Sequence, residues 1–395
     1  MAEQVLNKIE HVQEVQEERM ELANFKKYNG VILDTINFLR DKSVLMYGGM
    51  AMDQLMPENL KIYGPYELSD IDVYSPHAKQ LANRLVAYLK KHGYKHCSVG
   101  GALHESTFKV FCDGVQVIDI SHIELSVFRL WMKTALEGDL GIRTTPPMYL
   151  DMQLHKILCS PSSSSRWTKT FERLRLFYKV FPPTKEVIAV ETSPSTEECD
   201  HMVAAVKQFL ADHECAQMGC AELTEIMNSR KPLAFSTLPP VIGIVDQPKL
   251  VAGLLHDIKA LTAAKSEYTY ESENCWLTTV SFKKQPIALF IEPDRCLSYI
   301  AYKGRRIASV HTIVYLCYTI ALAPNKAFDA MRAELVAIGS RLSHLQMHSL
   351  TSRRKLLQQV GVECIGRMEG LITMFRKRQS RMSKRAAKAA KAAKT

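Results

Sequence analysis

Tyr47-Gly48-Gly49-Met50-Ala51-Met52-Asp53 and, a little further on, Ser69-Asp70-Ile71-Asp72-Val73-Tyr74-Ser75-Pro76 are the segments on which the reading of this chain turns. Ser43 to Tyr47 is a short, mostly apolar run that meets Gly48-Gly49, after which Met50 to Met56 takes up helical spacing until Pro57. The order is strand, tight glycine turn, helix N-terminus. Leu68 to Tyr74 alternates acidic and apolar residues, as a strand with one buried face does, and Pro76 ends it. Asp70 and Asp72, two apart on that strand, leave from the same face and offer the hard oxygen ligands that a magnesium site needs. Backbone N–H groups at Gly48 and Gly49 can approach a phosphate without a Cβ in the way.

A third acid follows. Ser106 to Cys112 and Val115 to Ser121 are alternating runs around Asp113-Gly114, a two-residue hairpin signal that places Asp119 on the outgoing strand. Three carboxylates on neighbouring strands can hold two Mg²⁺ ions, one activating an attacking hydroxyl and the other carrying a triphosphate and its leaving group. Taken alone, an Asp-X-Asp is usually a solvated strand edge and a Gly-Gly usually only a turn. The succession of Gly-Gly turn, paired aspartates and a hairpin aspartate points instead to nucleotidyl transfer.

Outward from this centre the elements read as follows. Glu3 to Lys42 predicts two helices broken near Asn29-Gly30, and Lys79 to His92 an amphipathic helix. Pro146-Pro147 open a helix through about Cys159, the serine run 160–165 reads as a flexible linker, and Arg166 to Phe181 forms a further helix closed by Pro182-Pro183. Residues from about His201 to Ser229 read as helical. Beyond them come strands at 276–282, 287–291, 299–302 and 306–310, with helices at 249–264, 311–323 and 327–345. The expected organisation is an N-terminal helical region 1–42, a catalytic domain 43–183, a second domain 184–375 and a basic tail 376–395. The fold class is α+β. In the second half Asp246 and Asp294 stand isolated, which speaks against a second active site.

Lys169 and Arg173 lie four apart on one helix face with Arg166 three before, so the trio can reach a triphosphate or RNA phosphates, or form a solvated basic face. Trp167 reads as a base-stacking residue or a core residue. Asp53 complements the helix N-terminus or belongs to the site.

At 395 residues and 47% hydrophobic, the chain is too large and too apolar for a disordered or disulfide-stapled protein. Its net charge of +10 rests on the tail, since 376–395 contain nine Lys or Arg and no acid. A polyanion held at one place is the partner this implies, with Arg376, Lys377, Arg378, Lys384 and Arg385 as candidate RNA-binding residues, beside the alternatives of a localisation signal and a solubilising disordered end. Ten scattered cysteines without an export signal are expected to be reduced thiols. Cys199, His201, His213, Cys215 and Cys220 match no zinc-finger spacing and read mainly as core or surface side chains. The longest apolar run, Val310 to Ala323, is too short to span a bilayer, so no membrane association is expected.

The quoted motifs, with Val117-Ile118-Asp119-Ile120-Ser121, resemble the polymerase-β-type nucleotidyltransferase signature of poly(A) polymerase catalytic subunits from large nucleocytoplasmic DNA viruses of the poxvirus, asfarvirus and mimivirus kind. Pro146-Pro147-Met148-Tyr149-Leu150 and Arg166-Trp167-Thr168-Lys169 with Arg173 are similar to the helical segment that follows the acids in that family, so the likeness covers about Leu45 to Val180. It implies a catalytic nucleotidyltransferase domain followed by a degenerate one of related fold, adding AMP from ATP to mRNA 3′ ends with Mg²⁺ or Mn²⁺. On this resemblance Gly48 and Gly49, with Lys169 and Arg173, bind nucleotide; Asp70 and Asp72 hold both metals; Asp119 completes the metal site that activates the RNA 3′-hydroxyl. It further implies single-stranded RNA 3′ ends as substrate, a processivity subunit or a second copy as partner, and the host cytoplasm or the virion as location. An oligoadenylate synthase or small-molecule nucleotidyltransferase would use the same acids, and an RNA-binding accessory subunit would keep only a vestige of them.

Overall fold

The computed structural model describes residues 2–67, 69–102, 106–185, 196–247, 249–270, 273–293, 295–348 and 355–366. The basic tail and Asp294 lie outside the described residues. The chain divides into two compact units, one running to Pro147 and the other from Met148 onward.

The first unit opens with α1 (Ala2–Arg40), one helix that runs through Asn29-Gly30 without the expected break. A glycine inside a helix costs about 1 kcal/mol relative to alanine, but here packing outweighs it. Val31, Thr35, Ile36 and Leu39 are buried on one face. A Cβ on Gly30 would stand 3.4 Å from the Tyr94 hydroxyl, which donates to Asp34 at 2.8 Å. There follow β1 (Leu45–Tyr47), α2 (Gly48–Gln54), β2 (Asp72–Ser75), α3 (Ala78–Lys91), β3 (Cys97–Gly101), β4 (Thr107–Cys112), β5 (Val115–His122), α4 (Leu125–Met132), β6 (Leu136–Glu137) and β7 (Arg143–Thr144). Their sheet runs β3-β4-β5-β2-β1-β7-β6. β2 is parallel to β5 and antiparallel to β1, and β1 is parallel to β7. The Asp113-Gly114 hairpin forms as expected, with φ of 49° and 85° at its two turn residues, the paired positive values of a type I′ turn. α3 buries Leu81, Ala82, Leu85 and Leu89 and packs across β3, β4 and β5. Val73, Val110, Ile118 and Ile120 are buried from the sheet side.

The second unit comprises α5 (Pro147–Leu158), α6 (Trp167–Val180), α7 (Glu197–Asp212), β8 (Ala216–Gln217), α8 (Cys220–Met227), β9 (Val241–Ile244), α9 (Lys249–Asp257), β10 (Leu261–Tyr270), β11 (Glu273–Phe282), β12 (Gln285–Glu292), β13 (Leu297–Tyr302), β14 (Arg305–Ala308), α10 (Val310–Leu322), α11 (Arg332–His348), α12 (Lys355–Gln358) and β15 (Glu363–Ile365). Its sheet runs β10-β11-β12-β9-β8-β14-β13-β15. Its first seven strands in that order repeat the first unit, and β15 is added beyond β13: β9 is parallel to β12 and antiparallel to β8, and β8 is parallel to β14. Even the glycine turn returns, with Gly219 between β8 and α8 so close to β9 that a Cβ there would stand 2.5 Å from the Pro240 carbonyl oxygen. The acids do not return. The β9–β12 ladder pairs Val241 with Ala288, Ile242 with Leu289, Gly243 with Phe290 and Ile244 with Ile291.

Several expectations are corrected. The units part at Pro147, whereas the domain boundary was expected at 183, because α5 and α6 are bound into the second unit. Ser298 N–H donates to the Cys159 carbonyl at 2.8 Å, His155 and His311 share a 2.9 Å contact between their Nδ1 atoms, and Thr184 N–H donates to Ser340 Oγ at 2.6 Å. The serine run is no linker: Pro161–Arg166 is a 3₁₀ helix. Residues 201–229 contain β8 between two helices, and the expected helix 249–264 stops at Asp257, its end entering β10 by pairing with β11. Two cysteine pairs are joined, Cys97 to Cys112 with Cα atoms 4.2 Å apart and Cys296 to Cys364 with Cα atoms 5.3 Å apart. Strand register sets Cys97 opposite Cys112, and the β13–β15 ladder brings Cys364 within reach of Cys296, the residue before β13; no local spacing announces either. Cys199 and Cys215 sit in an apolar cluster with Val206, Leu210 and Phe290, and burial pushes the Cys215 thiol up to about 11. Among the described residues no helix is long and apolar enough to cross a membrane.

Candidate active site

The site is a row of side chains across the first sheet. Tyr47 on β1 is opposite Asp72 on β2, Asp72 is level with Asp119 on β5, and Asp119 is opposite Lys109 on β4. Neighbouring strands lie about 4.8 Å apart and level residues share a face, so Asp72 and Asp119 stand side by side. Gly48 closes one end. Its φ is +74°, a backbone that side-chain-bearing residues rarely adopt, and a Cβ there would lie 2.7 Å from Asp72 Oδ2. Gly49 is the second residue of α2.

Asp70 is placed differently from the sequence expectation. β2 begins only at Asp72, so Asp70 lies exposed in the segment leading into the strand and not on it. One further ladder bond, Asp119 N–H to the Ile71 carbonyl at 2.8 Å, holds that segment to β5.

Asp119 is firmly held. Lys109 Nζ lies 2.8 Å from its Oδ2 and 3.0 Å from its Oδ1. Gln116 Nε2 donates to Oδ1 at 2.9 Å, and Lys109 also donates to Gln116 Oε1 at 2.8 Å. Lys109 and Asp119 are 27% and 17% exposed, so the pair is partly withdrawn from solvent while remaining reachable. Sequence reasoning missed Lys109 and Gln116. An unbroken hairpin would set Lys109 opposite Ile118, but a bulge at Val117, between the pairs Phe111–Gln116 and Val110–Ile118, moves it opposite Asp119.

A second row supports the first. Tyr47 hydroxyl and Ser121 Oγ are 2.9 Å apart, and Ser121 Oγ and Thr107 Oγ1 are 2.8 Å apart. The Tyr47 ring stacks on Tyr74 with centroids 4.0 Å apart. These contacts fix the residue immediately before Gly48. Asp53 serves the scaffold: its Oδ1 accepts the N–H groups of Ile62 at 2.7 Å and Tyr63 at 3.3 Å, pinning the loop after α2.

Lys169 and Arg173 lie one turn apart on α6, carried by the second unit, with Lys169 exposed and Arg173 half-buried. Trp167 donates its indole N–H to the Ile157 carbonyl at 2.9 Å and so ties α6 to α5.

Among the described residues no three His, Cys, Asp or Glu side chains converge closely enough to hold a metal ion. Asp70 stands outside the strand, and both oxygens of Asp119 are turned to Lys109. The donor chemistry nonetheless fits a hard divalent cation. The ligands on offer are carboxylates, two of them on one row, and a cationic ammonium already occupies the oxygens of Asp119.

Comparison with known proteins agrees with the resemblance read in the motifs. Residues 34–164 match the family model of the poly(A) polymerase catalytic subunit. A protein of Acanthamoeba polyphaga mimivirus named as a poly(A) polymerase catalytic subunit is 30% identical over 184 residues, which is 45% of this chain and 31% of that protein. The chain therefore spans about a third of the length of that relative. The crystal structure of the Megavirus polyadenylate synthase superposes with a TM-score of 0.77 at 21% identity, covering 97% of this chain and 83% of the other. The likeness in structure extends over nearly the whole chain, so its α+β fold with two sheets is similar to the fold of that structure.

Proposed function

We propose that this chain is a template-independent polynucleotide adenylyltransferase that transfers AMP from ATP to the 3′-hydroxyl of single-stranded RNA. The observation that carries this is the level pairing of Asp72 with Asp119, with Gly48 fitted against the Asp72 carboxylate.

Asp70, Asp72 and Asp119 would hold divalent metal, Mg²⁺ or Mn²⁺, which supplies Lewis-acid activation of the 3′-hydroxyl and neutralises charge on the triphosphate. The rest is positioning. Asp72 and Asp119 sit on strands locked by a parallel ladder, so their spacing is set before substrate arrives. Gly48 puts no Cβ against the Asp72 carboxylate, and the backbone N–H groups at the start of α2 serve the phosphates. Tyr47, held by Ser121 and Tyr74, keeps that turn in place. Lys169 and Arg173 on α6 serve the triphosphate, and Arg376, Lys377, Arg378, Lys384 and Arg385 grip the RNA backbone. A processivity subunit or a second copy completes the assembly in the host cytoplasm or the virion. We take residues 43–183 as the segment that supplies the catalytic groups, with α5 and α6 structurally part of the second unit.

The acceptor is tested by offering labelled ATP with RNA ending in a 3′-hydroxyl, in a 3′-deoxy sugar, or in a 2′-deoxy sugar. Extension of the first and third but not the second is expected. Extension of the 3′-deoxy end would transfer the reading to 2′-5′ synthesis.

A further inference from the structure

The Lys109 ammonium does more than form a surface ion pair. It touches both oxygens of Asp119, takes Gln116 Oε1 as a third partner, and is held on the neighbouring strand directly opposite. Gln116 in turn donates to Asp119, so lysine, glutamine and aspartate close a three-membered ring of hydrogen bonds. A hairpin bulge is what brings these three to one face. Asp72 and Asp119 are level neighbours, and two carboxylates at that spacing repel unless a cation lies near them.

We propose that Lys109 is a tethered counter-ion for Asp119: its ammonium occupies the oxygens of that carboxylate and must leave them before a divalent cation binds there. Lys109 is thus a positioning residue that sets the divalent-ion requirement. This rests on the reading of Asp72 and Asp119 as metal ligands. Lys109 offsets the charge of Asp119, and Gln116 keeps that carboxylate in one orientation. A divalent ion arriving alone meets a competitor covalently attached to the protein, so occupancy favours an ion that brings further ligands, such as one already bound to a triphosphate.

The test is Mn²⁺ binding to the full chain without nucleotide, followed by the electron paramagnetic resonance signal of the unbound ion, in wild type, Lys109→Met, Asp119→Asn, the double variant and Asp72→Asn. Removing a unit positive charge about one strand spacing from a divalent ion is expected to tighten Lys109→Met about tenfold or more. In the Asp119→Asn background the same change should have a much smaller effect, because the competitor has lost the carboxylate it occupies. Unchanged or weaker binding by Lys109→Met, with Asp72→Asn still losing the ion, would overturn the counter-ion role and leave the metal reading standing. Full binding by Asp72→Asn would overturn both. A measurement on unaltered protein guards against a misfolded variant. In ¹⁵N-lysine-labelled wild type, the Lys109 Nζ resonance, assigned by its absence from Lys109→Arg, should move or vanish on saturation with Mg²⁺, and a resonance that stays in place contradicts the proposal.

Discussion

Asp72→Asn keeps the shape and hydrogen-bonding capacity of the side chain while removing its charge. AMP incorporation is expected to fall by on the order of 10²–10³-fold or more, with the far-ultraviolet circular dichroism unchanged. Retained activity would remove Asp72 from the site. Gly48→Ala acts by another route. A left-handed backbone at alanine costs about 1–2 kcal/mol, and its Cβ would push on Asp72 Oδ2 from 2.7 Å. A lower thermal midpoint is expected together with a loss of incorporation of on the order of 10²-fold, the scale of a displacement near 1 Å at a reacting centre. Residue types and their order make Gly48, Asp72 and Asp119 legible in the sequence. Lys109 is not legible, because alternation alone puts it level with Ile118 and the bulge that corrects this leaves no mark on residue type.

Elements follow the same division between local and tertiary causes. The Asp113-Gly114 hairpin, α3 and α10 are set by turn chemistry or by periodicity, and they form where the spacing places them. β2 is shorter than its alternating pattern because a strand extends only where it has a partner. β1 ends at Tyr47, opposite Asp72, as the chain turns into α2 at Gly48. Asp70 is thereby left ahead of the ladder. α1 crosses Gly30 because its buried face outweighs one poor helix former. β10 arises from pairing with β11, a long-range cause that a local window cannot contain.

One element carries an acid-dependent clasp. Glu334 on α11 accepts from Ser236 N–H at 2.7 Å and Leu238 N–H at 3.0 Å, and from the hydroxyls of Ser236 and Thr237. Burial raises its carboxyl, but the hydrogen bonds from Thr237 and Ser236 outweigh burial and hold it below the usual 4.5. A carboxylate depressed by folding contributes stability above its unfolded pKa and loses it as the pH falls through the folded one. Glu334→Gln is therefore expected to cost about 1.5–3 kcal/mol at pH 7, the worth of hydrogen bonds to a charged group. In urea unfolding the gap from wild type should narrow progressively below pH 4.5. A gap independent of pH would mean that the clasp works without its charge.

At the scale of the whole molecule, one strand order occurs twice, with carboxylates on one copy and apolar residues at the ladder of the other. The acids made the first copy readable. The second was readable only as a mixture of helices and strands, since β8 and β9 are short and Gly219 stands alone. The division at Pro147 was hidden because Pro182-Pro183 marks the end of a helix and not the end of a unit. Nine basic residues lie in 376–395. Deleting that segment should weaken RNA binding and flatten the fall of log affinity with log salt, each lost phosphate contact on single-stranded RNA removing about 0.7 from the slope. An unchanged slope would assign the tail another role.

We propose adenylyl transfer to RNA by the aspartate row of the first unit. Its most direct test is extension of a labelled single-stranded RNA by the purified chain with Mg²⁺ and each nucleoside triphosphate in turn, beside the Asp70→Ala, Asp72→Ala double variant. Long products with ATP alone, and none from the variant, are expected. Equal extension by both proteins, or none by either, would contradict the proposal.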